Sequence, residues 1–197
     1  MWKKRVVAYI IDMLIISTII NIFGIVFPQW SETSYKSQEE INRIFEKQTD
    51  NGKAINDETF NIIIDETTKS IQRYDKELTL YHGVEVMILF GYFIILPMCA
   101  NGQTVGKKLF KIKVTNENGK LTYKNLIIRT LLITEMGALT LTSIFVYILP
   151  SLPYFIFKDV LGLLELVILI VSLVKIIRNE KHLGLHDMIA KTEVVEI

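Results

Sequence analysis

Four carboxylates interrupt stretches that are otherwise apolar: Asp12, Glu85, Glu135 and Glu165. A charged side chain at the centre of a membrane span costs about 2.5–3.5 kcal/mol on insertion scales, so such an acid turns toward protein or a water-filled cavity and marks a candidate ion or proton pathway. Asp12 lies roughly 9 Å into its stretch at a rise of about 1.5 Å per residue. Glu135 shares a helical face with Ala138 and Thr142, and Glu165 with Gly162 and Ser172. Small and hydroxylated neighbours suit close helix contact or a wet cavity. Asp12, Glu135 and Glu165 are therefore the candidate transport residues. The alternative is that each acid is protonated, or hydrogen-bonded to a neighbouring helix as packing glue. Glu85 stands close enough to the end of its stretch to be simply hydrated.

Other chemistries find less support. His182 and His186 have the i, i+4 spacing of a metal pair, but no further Cys/His cluster accompanies them. They read as histidines of a tail. The segment GQTVGKK, residues 102–108, is one residue short of a phosphate-binding loop, lacks Ser or Thr after the lysine and follows no predicted strand. The acidic run in residues 28–80 lacks the alternating ligands and closing glutamate of a calcium loop. No catalytic residue, cofactor or metal site is expected, and the chain does not read as an enzyme. Its net charge of +1 implies no attraction to nucleic acid. A single cysteine, Cys99, excludes an intrachain disulfide and reads as a buried, inert thiol. No lipidation motif is seen, Met1 being followed by Trp2 and the closing VVEI lacking a prenylation cysteine.

The elements that must position these acids are membrane helices. Half of the 197 residues are hydrophobic, and they gather in blocks rather than spreading at a period of 3.6 or 2. Four blocks approach the ~20 residues needed to cross a bilayer. They cover residues 6–27, 81–100, 126–149 and 157–177, and each is expected to form a helix that satisfies its own backbone. The first follows Lys3, Lys4 and Arg5 as a signal peptide would. Asp12 within it, and an exit without small residues, make it a retained span. Orientation follows from the basic residues. The N-terminus carries three of them, and residues 101–125 carry six lysines against Glu117 alone. Residues 28–80 hold seven basic against eleven acidic residues. Both termini and residues 101–125 are thus expected in the cytoplasm, the long loop and the short turn at 150–159 outside, and the protein in the cell membrane. Trp2, Trp30, Tyr81, Tyr147 and Tyr154 fall near span ends, where aromatic anchors belong.

The polar segments have patterns of their own. In the long loop, SQEEINRIFEK opens with Ser37 and Glu40 at capping-box spacing. DETFNIIIDETTKSIQRY puts Phe60, Ile63, Ile64, Thr67, Ile71 and Tyr74 on one stripe, with Asp50-Asn51-Gly52 as a turn between the two. A helical hairpin on the outer membrane face is predicted. FKIKVTNENGKLTY alternates around Asn118-Gly119 and predicts a β-hairpin. Val194 to Ile197, in the tail at 178–197, should add a strand to Lys111–Val114. The fold class is an all-α membrane protein: a single domain over 1–197, a four-helix transmembrane bundle with an extracytoplasmic helical hairpin and a small cytoplasmic β-hairpin or sheet.

Arg5, Asp12, the segment GQTVGKKLFKIKVTNENGKL with Gly102 and Gly106, and the closing LGLHDMIAKTEVV together resemble the RDD family of membrane proteins. That family takes its name from an arginine and two aspartates. Arg5 and Asp12 match the first two, and Asp187 is assigned as the third. The long loop is an addition to the family pattern. The resemblance implies transport of unidentified ligands, and with the intramembrane acids it suggests a small ion or proton-coupled transporter. Four spans make a small bundle, so a pathway is expected to need a homo-oligomer. The alternative is a non-catalytic assembly factor or regulator that acts through its extracytoplasmic or cytoplasmic loops. Besides the bilayer itself, the residues name no partner, ion or substrate. Arg5 is expected to snorkel away from Asp12 and to meet Asp187 from the cytosolic side, or else lipid phosphate.

Overall fold

The computed structural model describes residues 1–49, 56–116 and 119–197. The expected turn at Asp50-Asn51-Gly52, and Asn118 of the expected hairpin tip, lie outside the described residues. Helix α1, Trp2–Val26, runs the length of the first apolar block. Helices α2, Pro28–Thr49, and α3, Asp57–Glu77, pack against each other as the helical hairpin. The second block forms α4, Thr79–Phe90, a π-helical turn at Gly91–Ile95, and α5, Leu96–Cys99. Pro97 has no N–H to continue the α ladder, and Leu96 N–H instead reaches back to the carbonyl of Gly91. A short helix α6, Val105–Leu109, leads to strand β1, Ile112–Asn116. Helices α7, Tyr123–Ile133, α8, Met136–Phe145, and α9, Ser151–Arg178, are followed by α10, Leu185–Ala190, and strand β2, Thr192–Glu196. Three spans are long and apolar enough to cross a membrane: α1, α4 continued through α5, and α9. The bent pair α7–α8 supplies a fourth if taken together.

The third span is not the continuous helix its apolar block predicts. It bends by 78° between α7 and α8. Thr134 takes an extended conformation there, its Oγ1 donating back to the Thr130 carbonyl at 2.8 Å and accepting the Met136 N–H at 3.3 Å. A threonine that satisfies both helix ends from its own side chain competes with the helical ladder. Glu135 sits in the break.

The inner loop also differs from expectation. Lys111–Asn116 does not fold back on Gly119–Tyr123 beyond an isolated bridge between Asn116 and Gly119. Strand β1 pairs antiparallel with β2, in the register Val114↔Val194 and Ile112↔Glu196. The expected second hairpin strand is consumed by the start of α7, where Thr122 and Asn125 form a capping box. Ile112, Val114 and Val194 are buried with Ala8, Ile16 and Leu126, so the sheet closes one end of the bundle. Lys4 bonds Glu196 at 2.9 Å, which brings the two termini to that same end. The Lys4 ammonium holds the Glu196 carboxyl below the usual range.

Four smaller expectations are corrected. Residues 151–159, expected as a turn before the fourth span, already belong to α9, which starts directly after Pro150. Ser37 caps nothing, because α2 begins nine positions earlier at Pro28. Glu40 instead accepts from Tyr74 Oη at 2.7 Å and pairs with Arg73, which joins α2 to α3 and holds the Glu40 carboxyl below its ordinary range. Phe60 is exposed, while Ile63 is buried and Ile64, Thr67, Ile71 and Tyr74 are half-buried. Cys99 is exposed, since Pro97 takes the buried position of that turn.

The hairpin is fixed to the bundle at the end opposite the sheet. Asp75 on α3 accepts from Tyr154 Oη at 2.7 Å and Lys158 Nζ at 2.6 Å on α9. Gln72 Nε2 donates to the carbonyls of Val146 and Leu149 at 3.0 and 2.7 Å, carbonyls that the end of α8 leaves without helical partners. Gln72→Leu should therefore lower stability by about 1–3 kcal/mol, read as a fall in the thermal midpoint of the detergent-solubilised chain. Phe60→Ser, at an exposed position, should change it by no more than about 0.5 kcal/mol.

Candidate functional site

Two buried carboxylates organise the end of the bundle that carries the termini. Asp12, on α1, has no exposed surface. Its Oδ1 accepts Tyr92 Oη at 2.7 Å and the Gly106 N–H at 2.7 Å, and its Oδ2 accepts Thr104 Oγ1 at 2.6 Å. Lys107 Nζ stands 3.6 Å from Oδ2. Each donor is placed by a local feature. The π-helical turn carries Tyr92, Thr104 is the N-cap of α6, and Gly106 lies in its first turn. A Cβ on Gly106 would overlap the Ala8 carbonyl oxygen and stand 2.8 Å from Asp12 Oδ1. This glycine serves close approach of α6 to α1 rather than a turn. Gly102 does serve a turn: its φ is +85°, and a Cβ there would strike the Val114 carbonyl.

The second carboxylate, Asp187 on α10, is also completely buried. It pairs with Arg5 of α1 and with Arg129 of α7, and its Oδ2 accepts the Gly184 N–H at 2.9 Å. Arg5 also donates to the His182 carbonyl, and Arg129 Nη1 lies 3.2 Å from Thr192 Oγ1 on β2. Arg5 thus engages Asp187 and, among the described residues, makes no bond to Asp12. Arg129 was not among the residues singled out from sequence. The signal was present, because a lone arginine inside an apolar stretch carries the same penalty as a lone acid. Tyr92, Thr104 and Lys107 had no comparable signal.

The histidines part company. His182 Nδ1 lies 2.9 Å from the Ile176 carbonyl, whereas His186 is buried with Nε2 3.4 Å from Asp187. His186 is therefore a core residue and not a residue of a solvated tail. Burial, then the charges of Arg129, Arg5 and Lys107, push its pKa well below 6.5. Burial likewise brings the Lys107 ammonium down to about 8, with Arg129 adding to the effect.

The other acids occupy a different region. Glu135 is exposed in the break between α7 and α8. It lies within the field of Glu85 and His82 on α4 and of Glu165 on α9. Glu165 is half-buried, and its Oε1 accepts the Ala138 N–H at 3.2 Å in the first turn of α8. Glu85 is not simply hydrated: it lies 3.0 Å from His82 Nδ1, and both side chains are largely covered. Tyr9, which donates to the Ile133 carbonyl at 2.6 Å, feels both Glu135 and Asp12.

A model of the RDD family matches residues 1–191. The chain belongs to the RDD family. Comparisons with curated proteins and with solved structures found no match. This RDD protein is a multi-pass membrane protein, and Arg5, Asp12 and Asp187 stand together at one end of its bundle.

Two outcomes test this site. Asp187→Asn leaves two buried guanidiniums without their counter-charge and should cost about 3–5 kcal/mol. Arg129→Met added to it should return part of that loss, since one uncompensated cation is then gone. Losses that merely add, measured by thermal unfolding of the four proteins of the cycle, would mean the two residues act separately. His186 gives a pH dependence. Below about 6.5 the unfolded chain binds a proton on this ring while the folded chain does not, so stability falls as pH falls. The loss begins below about 6.5 and continues toward the lower folded value. His186→Gln should lose less stability than wild type between pH 7 and pH 5.

Proposed function

We propose that this RDD protein is a small, non-enzymatic ion or proton-coupled transporter of the cell membrane, with both termini in the cytoplasm. The observation that carries the reading is the break in the third span. Discontinuous membrane helices are tolerated where irregular backbone lines a cavity, and in secondary transporters such breaks carry substrate and ion sites. Here the break holds a carboxylate, Glu135, and a second carboxylate, Glu165, accepts an amide from the first turn of the half-helix that follows. The N-terminal end of a half-helix favours negative charge, which suits that contact. A charged group exposed at membrane depth needs water or a second copy of the chain against it. His82 and Glu85, 3.0 Å apart on α4, add two further titratable groups to the bundle that holds the break. The orientation rests on the basic residues at 3–5 and 101–125; Lys4 bonds Glu196 and β1 pairs with β2, so both segments lie beside the tail. The regulator reading draws on the α2–α3 hairpin, whose outward surface is charged.

The test is ion-gradient-driven flux in proteoliposomes, wild type beside Glu135→Gln. The Glu135 side chain makes no hydrogen bond among the described residues, its backbone carbonyl alone accepting the Leu139 N–H, so its amide leaves the fold intact. Flux should fall to the background of protein-free vesicles. Flux equal to wild type would remove the break from the mechanism, and absence of flux in the folded wild type for every cation gradient and a pH gradient would favour the regulator.

A further inference from the structure

Beside the buried carboxylates lies a cavity of about 90 Å³. Arg5, Lys107 and Arg129 line it, together with Ser172 of α9 and His186 of α10. Its remaining wall is apolar and includes Leu169 and Leu173. We infer that this cavity binds the anionic headgroup of a membrane lipid, a phosphate ester whose acyl chains lie outside along α9.

Charge is the first argument. Three cations converge here against two carboxylates, Asp12 and Asp187, so the cluster is one negative charge short. Both carboxylates are already occupied by neutral donors as well: Tyr92, Thr104 and Gly106 on Asp12, Gly184 on Asp187. Buried charge without a counter-charge is costly. A phosphate in the cavity supplies that charge and the acceptor oxygens that guanidinium and ammonium groups favour. The lowered Lys107 agrees: burial acts first to discharge it, and Arg129 and Arg5 add to that.

Hydrogen bonding is the second. Ser172 Oγ and His186 Nδ1 are buried and have no partner among the described residues. Buried polar atoms are otherwise almost always satisfied. Ser172 is 2% exposed and lines the cavity from α9, where a ligand would take up its hydroxyl. Among the described residues Arg129 makes both its side-chain bonds through Nη1, which leaves the rest of its fork to turn to an anion.

The third argument selects a lipid over a free anion. Leu169 and Leu173 line the cavity yet are each 42% exposed on the outer surface of α9, an apolar span. The cavity therefore opens sideways toward the hydrocarbon. It is too small for an acyl chain, but the row of exposed leucine, isoleucine and valine side chains along α9 offers the chain an apolar surface outside. The site requires nothing of Glu135 or Glu165 and stands whether or not the protein transports ions.

The experiment uses the full-length chain, delipidated in detergent, with phosphatidylglycerol, phosphatidylcholine or inorganic phosphate added. Thermal midpoint and native mass spectrometry are the readouts. Phosphatidylglycerol should be retained at one per chain and raise the midpoint, as a ligand bound only by the folded state must. Phosphatidylcholine and inorganic phosphate should do neither. Ser172→Leu fills the cavity and should abolish retention, and Ser172→Ala, which removes a hydroxyl without a protein partner, should weaken it roughly tenfold. Equal retention of phosphatidylcholine would overturn recognition of the anion. An equal rise with phosphate alone would overturn the lipid as its source. Unchanged retention of phosphatidylglycerol by Ser172→Ala would move the site elsewhere.

Discussion

Asp187 is the counter-charge that allows two guanidiniums into the interior of this bundle. Arg5 comes from the first span, Arg129 from the third, and Asp187 from the short helix after the fourth, so one carboxylate ties together segments from both ends of the chain. Without it, either arginine would have to leave the bundle or stay uncompensated at a cost of several kcal/mol. The position of α10 in turn decides where β2 can run. Strand β2 follows Asp187 after a left-handed turn at Lys191, and its Thr192 returns to Arg129. The sheet, and with it the path of the inner loop, depends on the same ion-pair cluster. Asp12 repeats the device one layer away, gathering the second span and α6 onto α1.

Much of this was legible in the sequence, because membrane helices and buried charges both leave strong marks. Apolar blocks located the spans, and the alternation in FKIKV and TEVVEI located the two strands that pair. The family resemblance singled out Asp187, and topology put it on the same side as Arg5, with lipid phosphate as the other partner open to the arginine. What failed shares a cause: local patterns that allow two outcomes, decided by tertiary partners. KLTY alternates as a strand does, yet Thr122 caps a helix there. Ser37 has the spacing of a cap, yet α2 had already begun from Pro28. Thr134 looks like any hydroxyl in an apolar helix, and only its bonds to Thr130 and Met136 show it as the point of a 78° bend. The donors to Asp12 come from residues far apart in the chain, two of them through backbone features such as a π-helical turn and a close-approach glycine, and composition carries no trace of those.

The glycines of the inner loop show how a short motif acquires meaning from packing. Gly102 and Gly106 look interchangeable in GQTVG. In the fold they answer different constraints, a positive φ in one case and the width of a carbonyl oxygen in the other. Between them Thr104 caps α6, so a run of five residues places three of the groups that touch Asp12 or position its donors. Such density leaves little room for α6 to move while Asp12 stays bound.

That rigidity bears on which acid can do work. Asp12 accepts three hydrogen bonds and has a lysine nearby, and Asp187 is held between two arginines and a backbone amide. A carboxylate held this way cannot turn away without forfeiting several donors at once. These two acids therefore behave as locks. Glu135 is the opposite case: it lies in a helix break, exposed, with acids on two neighbouring spans in its field and no hydrogen bond to its side chain among the described residues. Adding or removing a proton there disturbs no packed network. The open carboxylate at the break is the place where binding a proton or cation changes least of the fold, whereas Asp12 and Asp187 hold α1 to α6, α7 and α10.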